Sequence, residues 1–147
     1  MRDVTIGRVL AIDVGGRRVG LAISDRSRTL ARPLETIVVR GEADAVDRVA
    51  RRVGELAAEE DGLTEIVVGM PSRLDGTASS AAPSIARFID RLIRRTGMPI
   101  VTEDERLTSR EAESRLAASE PDWRRRKAKL DAAAAAVFLQ DYLDRTT

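Results

Sequence analysis

Between Arg8 and Asp13 the chain reads Arg-Val-Leu-Ala-Ile-Asp, with four apolar residues in succession and no polar alternation. A strand with one wet face alternates, so an unbroken apolar run suits a central strand buried on both faces of a sheet flanked by helices. Gly15-Gly16 breaks this run, and Val19–Ser24 makes a second strand close enough in sequence to pair with it as a hairpin. Leu34–Arg40 follows Pro33 as a third strand. From Ala45, the residues Val46, Val49, Ala50, Val53, Leu56 and Ala57 recur at helical spacing. Thr64–Gly69 is a short buried strand, and Ile85, Phe88, Ile89, Leu92 and Ile93 mark a second helix ending at Gly97. Pro99–Thr102 opens a fifth strand; a short helix over Ser109–Ala118 and an Ala-rich helix over Leu130–Leu143 complete the chain. Three sequential strands form an antiparallel meander. Strands separated by helices run parallel through right-handed crossovers. The expectation is an α/β fold with a mixed five-stranded sheet, its first three strands antiparallel and its last two parallel to the first. At 147 residues the chain has the length of one domain, residues 1–147.

The chain contains neither His nor Cys. That removes imidazole and thiolate metal ligands, the commonest general base and any disulfide, and so disfavours zinc enzymes, Ser-His-Asp hydrolases and Cys proteases. The run Val9–Ile12 is too short for a signal-peptide core or a membrane span, which predicts a cytoplasmic protein without membrane attachment. Lys and Arg number 25 against 24 Asp and Glu, so any nucleic-acid binding must come from a local basic patch.

Acids are the remaining candidates for chemistry. Asp13 closes the first strand, Glu105 the fifth, and Asp131 opens the last predicted helix. Each also has a structural reading: Asp13 as a turn acid beside glycines, Glu105 as half of an ion pair with Arg106, Asp131 as a cap for free helix N–H groups. In an open α/β sheet, however, sites form at the carboxyl ends of strands, where strands one and five end and the last helix can bring Asp131. Asp104 rivals Glu105. Trp123, Arg124, Arg125, Arg126, Lys127 and Lys129 read as a basic loop with one aromatic platform, suited to phosphate contacts and base stacking or else to a solvated charge run. Arg17 and Arg18 lie in the first hairpin near Asp13. Arg106, Thr108 and Ser109 follow Glu105, where they could cap a helix or touch substrate. Gly69, Pro71, Asp75, Gly76 and Thr77 form a turn-rich loop that could hold a phosphate or simply connect strand to helix.

Four blocks carry a specific pattern: Ala11-Ile-Asp-Val-Gly-Gly-Arg-Arg-Val-Gly-Leu-Ala22, Val68-Gly-Met-Pro-Ser-Arg-Leu-Asp-Gly-Thr77, Asp104-Glu-Arg-Leu-Thr-Ser109 and Lys127-Ala-Lys-Leu-Asp-Ala-Ala-Ala134. Together, and in this order, they resemble the YqgF family, also called RuvX, over nearly the whole chain. The resemblance implies a ribonuclease H-like fold and a nuclease that matures the 5′ end of pre-16S ribosomal RNA, with resolution of Holliday junctions in branched DNA as the alternative. It also implies that Asp13, Glu105 and Asp131 form an acidic triad holding two divalent ions. Mg²⁺ suits such hard oxygen ligands best, with Mn²⁺ as a substitute. The chain departs from the family at Arg125, Arg126 and the following alanines, where Gly and Ser are common, and this makes the segment more basic.

Two rivals come from other classes. An Asp followed by Gly in a first hairpin also begins actin-like ATP phosphotransferases, although those need two such domains. A non-catalytic nucleic-acid-binding module could keep the fold with its acids as caps and ion pairs. A junction-cutting enzyme would be a symmetric homodimer.

Overall fold

The computed structural model describes residues 7–71, 80–104 and 122–146, together with Ser114 and Ala118, which are helical. Its strands are β1 (Arg8–Val14), β2 (Arg18–Ser24), β3 (Ala31–Val38), β4 (Leu63–Met70) and β5 (Ile100–Asp104). Its long helices are α1 (Glu42–Ala58), α2 (Ala82–Thr96) and α3 (Trp123–Thr146). The sheet order is β3-β2-β1-β4-β5, with β1, β2 and β3 successively antiparallel and β1, β4 and β5 parallel. This is the mixed topology that the hydrophobic pattern predicts.

The unbroken apolar run of β1 has the cause expected of it. Leu10 and Ile12 enter a core with Val46, Val49, Val53 and Leu56 of α1 and Ile85, Phe88 and Leu92 of α2. Val9 and Ala11 point the other way, onto Ala135, Phe138, Leu139 and Leu143 of α3. The sheet is therefore covered on both faces, and the period of two along each strand decides which helix a side chain meets. Arg8, at the start of β1, is buried and donates to Leu56 O at 3.0 Å, Gly62 O at 2.9 Å and Glu59 Oε1 at 2.8 Å, tying β1 to the end of α1. Gly97 stops α2 in a left-handed conformation, φ 68°, and its N–H donates to Ile93 O.

Two boundaries differ from the sequence expectation. The third strand begins at Ala31 rather than Leu34, so Pro33 lies inside it. A proline is tolerated there because β3 is an edge strand and the register against β2 shifts between Leu21 and Ala22, opposite that segment. The last helix begins at Trp123 rather than Leu130, so the basic run is helical and not a loop. Arg and Lys are good helix formers, and their charge pattern does not distinguish a solvated helical face from a loop.

Candidate active site

The site is built around a close approach of backbone to backbone. Asp13 pairs with Gly20 across the β1–β2 hairpin, and Gly20 lies directly beneath α3. A Cβ on Gly20 would stand 2.2 Å from the carbonyl carbon and oxygen of Asp131 and 2.7 Å from Ala132 N. Only glycine lets the helix descend this far. Ala11 and Ala22 on the sheet and Ala132–Ala135 on the helix extend the same logic, because small side chains on both surfaces permit tight packing. Directly opposed residues of an antiparallel pair share a face, with Cα atoms about 4.5–5.5 Å apart. Asp13 therefore projects from the face that Asp131 covers.

Asp131 sits inside α3, in its third turn, and the N-cap role open to it in the sequence does not apply. It shares a helical stripe with Ala135, Phe138 and Tyr142, which turns it toward the sheet. Arg18 Nε lies 2.9 Å from Asp131 Oδ2, with the arginine side chain 45% exposed and the aspartate 25%. The approach is too oblique for a hydrogen bond, so Oδ2 is an ion-pair partner that is buried and accepts none. Asp131, Arg17, Arg18, Gly15, Gly16 and Val38 line an open cleft of about 430 Å³. Asp13 is half-buried at its edge of the sheet.

The row of residues across the sheet at this level is informative. Ile12 pairs with Val68, so the next residue of β4, Gly69, stands beside Asp13 and in turn pairs with Glu103 of β5. Glycines thus flank Asp13 on both neighbouring strands, Gly20 on β2 and Gly69 on β4. Glu103 is buried on the α3 face, where it pairs with Arg145. The next residue, Asp104, projects to the opposite face by the alternation of the strand. Sequence reasoning missed Gly20 and Glu103, since neither a strand glycine nor a strand acid announces its tertiary neighbour.

The other sequence candidates divide by place. Glu105, Arg106, Thr108, Ser109, Asp75, Gly76 and Thr77 lie outside the described residues, whereas Gly69 ends β4 and Pro71 follows it. Trp123, Arg124, Arg126 and Lys127 belong to the opening turns of α3. Arg125 is exposed and 3.9 Å from Asp122. Lys129 is exposed and, with Pro33, Leu34, Thr36 and Ala132, lines a groove of about 370 Å³ between β3 and α3. Among the described residues no group of three acids gathers as a metal centre. What fits a hard cation among the described residues at this rim is carboxylate oxygen, from the half-buried Asp13 and from Asp131, whose Oδ2 is paired with Arg18.

Comparison with known proteins places the chain in a family. A protein of Anaeromyxobacter dehalogenans (strain 2CP-C) named "Putative pre-16S rRNA nuclease" is 41% identical over 138 residues, covering 94% of this chain and 97% of that one. A protein of the same name from Roseiflexus sp. (strain RS-1) is 37% identical over 138 residues, covering 94% of each. Among solved structures, Thermus thermophilus RuvC in complex with Holliday junction substrate superposes with a TM-score of 0.52 at 17% identity, covering 95% of this chain and 94% of that one, which is a likeness of fold. Residues 7–145 match RuvX, described as Holliday junction resolvase, and with relatives this similar over nearly their whole length the chain belongs to the RuvX family of nucleases.

Proposed function

We propose that this chain is a divalent-cation-dependent endonuclease that hydrolyses phosphodiester bonds of RNA, in the 5′ maturation of pre-16S ribosomal RNA. The observation that carries the reading is the seating of Asp131 over Gly20, which brings acids from β1 and α3 to one rim of the sheet. The names of the relatives supply the substrate class.

In this reading Asp13, Asp131 and Glu105 hold the cations. Asp104 projects away from Asp13's face by the alternation of β5, and Glu105 is taken as the third acid on the motif it occupies. Mg²⁺ bound there supplies positive charge that lowers the pKa of water and steadies the leaving oxygen, a route that needs no histidine. The chain's own residues bind and orient. Arg17 and Arg18, at the mouth of the cleft, contact the phosphates flanking the scissile bond. Arg124, Arg125, Arg126, Lys127 and Lys129, on the helix that carries Asp131, attract the backbone further along. Trp123 offers a surface for stacking. Crowded carboxylates repel one another without the cation, so binding of Mg²⁺ stabilises the fold.

The test is cleavage of a pre-16S RNA fragment, with a four-way DNA junction alongside, by wild-type and Asp13→Asn protein in Mg²⁺. Cleavage of the RNA by wild type alone is expected. Equal cleavage by both proteins removes Asp13 from the mechanism, and cleavage of the junction alone replaces RNA by branched DNA as the substrate.

A further inference from the structure

β3 lends three side chains to the sheet face that α3 covers. Its register against β2 sets Pro33 opposite Ala22, Thr36 opposite Gly20 and Val38 opposite Arg18. Gly20 is in turn opposite Asp13, so Thr36 and Asp13 stand in one row of the sheet, two strands or about 10 Å apart. Pro33, Leu34 and Thr36 on the strand and Lys129, Ala132 and Ala133 on the helix line the groove of about 370 Å³. Val38 and Asp131, further along the same two walls, line the acidic cleft with Arg17 and Arg18. The groove therefore continues the cleft down the seam between the edge strand and the helix.

Its lining offers three kinds of contact. Pro33, Leu34, Ala132 and Ala133 are apolar, Lys129 is the cation, and Thr36 carries the one side-chain hydroxyl, which has no hydrogen-bond partner among the described residues. Glu35 also borders the groove, but its carboxylate turns to the other side of the sheet, where Arg52 of α1 donates to it. Val39 N–H donates to Arg17 O, so the alternation of an antiparallel pair leaves the N–H and C=O of Thr36 on the open edge of β3. A protein strand is a poor occupant of that edge, because a proline and a register shift, as at Pro33, are what keep edge strands from pairing. A nucleotide fits part for part: its base on the apolar wall, its phosphate toward the ammonium, its sugar at the hydroxyl. Sites of about 300–1,000 Å³ take small organic ligands, so this volume suits one nucleotide and not a duplex.

We propose that the groove seats one unpaired ribonucleotide near the scissile phosphate, and that Thr36 recognises its ribose by a hydrogen bond with the 2′-hydroxyl. The proposal rests on the RNA-cleavage reading and adds a specificity-determining residue to that site. A 2′-hydroxyl both donates and accepts, and it is the group by which a protein tells RNA from DNA at a single contact. The Thr36 hydroxyl can meet it in either sense. Because α3 crosses Gly20 between Asp13 and Thr36, the strand bends over the hairpin tip, past Arg18 and the exposed Val38, on its way from cleft to groove.

The experiment is fluorescence anisotropy without divalent ions, using single-stranded oligouridine and oligodeoxyuridine of one length. Wild type should bind the ribose form about fivefold tighter, as one hydrogen bond allows. Thr36→Val, of the same shape, should bind both at the deoxy level, and Thr36→Ser should keep the preference. Pro33→Trp, which fills the groove from an exposed position, should also abolish it and carries the test if Thr36→Val fails to fold. Equal affinities in wild type, or a preference that survives Thr36→Val and Pro33→Trp, overturn the proposal. So does a wild-type dimer in light scattering that Pro33→Trp makes monomeric, which gives the groove to a second copy of the chain. Cleavage in Mg²⁺, measured separately, keeps the two readings apart: a Thr36-dependent ribose preference without cleavage sinks the hydrolytic reading alone, cleavage without that preference sinks this one alone, and a protein that binds neither oligomer overturns both.

Discussion

Gly20 and Asp131 meet backbone to backbone: the space a Cβ would need on Gly20 is filled by the Asp131 carbonyl, 2.2 Å from where that carbon would stand. Replacing Gly20 by Ala must lift α3 away from the sheet or bend β2. Overpacking of this kind costs about 1–3 kcal/mol, and here the clash is with backbone, which cannot rotate away. The expected outcome is a lower urea midpoint together with a loss of Mg²⁺-dependent cleavage larger than the fraction unfolded explains. Wild-type stability in Gly20→Ala would show that the approach is looser than described.

Asp13→Asn tests the cation site without disturbing packing. Asp13 lies at the half-buried end of β1 between two glycine neighbours, so the isosteric amide leaves the core untouched. Stability without divalent ions should hold or rise as repulsion at the rim is relieved, and the increase in melting temperature on adding Mg²⁺ should disappear. Calorimetry with and without Mg²⁺ reads both effects. A full Mg²⁺ response in the mutant would exclude Asp13 as a ligand.

Arg18→Ala separates binding from stability. The Arg18–Asp131 pair is half-exposed on the arginine side, so its loss should change stability by less than about 1 kcal/mol. If Arg18 contacts a phosphate, RNA affinity falls and the slope of log affinity against log salt shrinks by about one. Replacing Arg124, Arg125 and Arg126 together by Ala should flatten that slope further. An unchanged slope in the triple mutant would assign those arginines to solubility.

Acid should weaken the β2–β3 turn at one identifiable group. Burial pushes Asp25 up, but hydrogen bonds from Ser27 Oγ at 2.6 Å and from the Thr29 and Leu30 N–H groups outweigh it, and the net shift is downward from 3.8. A lowered carboxylate stabilises the fold above its unfolded value, and that contribution is lost as pH falls through the folded one. The urea midpoints of wild type and Asp25→Asn should therefore converge below pH 3.8. A gap that stays constant into strong acid would mean that Asp25 acts through shape rather than charge.

Order and type of the elements were legible in the residues because periodicity is a local property. Val9–Ile12 shows a strand buried on both faces, the spacing Val46-Val49-Val53-Leu56 shows the inward stripe of α1, and Gly97 stops α2 where its left-handed φ is needed. Boundaries resting on a balance of weak preferences were less legible. Pro33 looks like a strand stop until the edge position and the register shift make room for it, and Arg124–Lys129 reads as a loop until it is seen as the opening of a helix whose later turns are anchored by Phe138 and Leu143.

By its own residues the sequence determined the candidate chemistry: a chain with no His and no Cys leaves oxygen ligands, and it placed Asp13 and Asp131 in recognisable blocks. Only the tertiary structure decided that Gly20 is the seat of the last helix, that Arg18 faces Asp131, that Glu103 is taken by Arg145, and that Thr36 and Lys129 line one groove. The reason is physical. Periodicity and propensity act over a few residues, whereas each of these contacts joins elements from distant parts of the chain, and their partners are set by how closely the backbones pack.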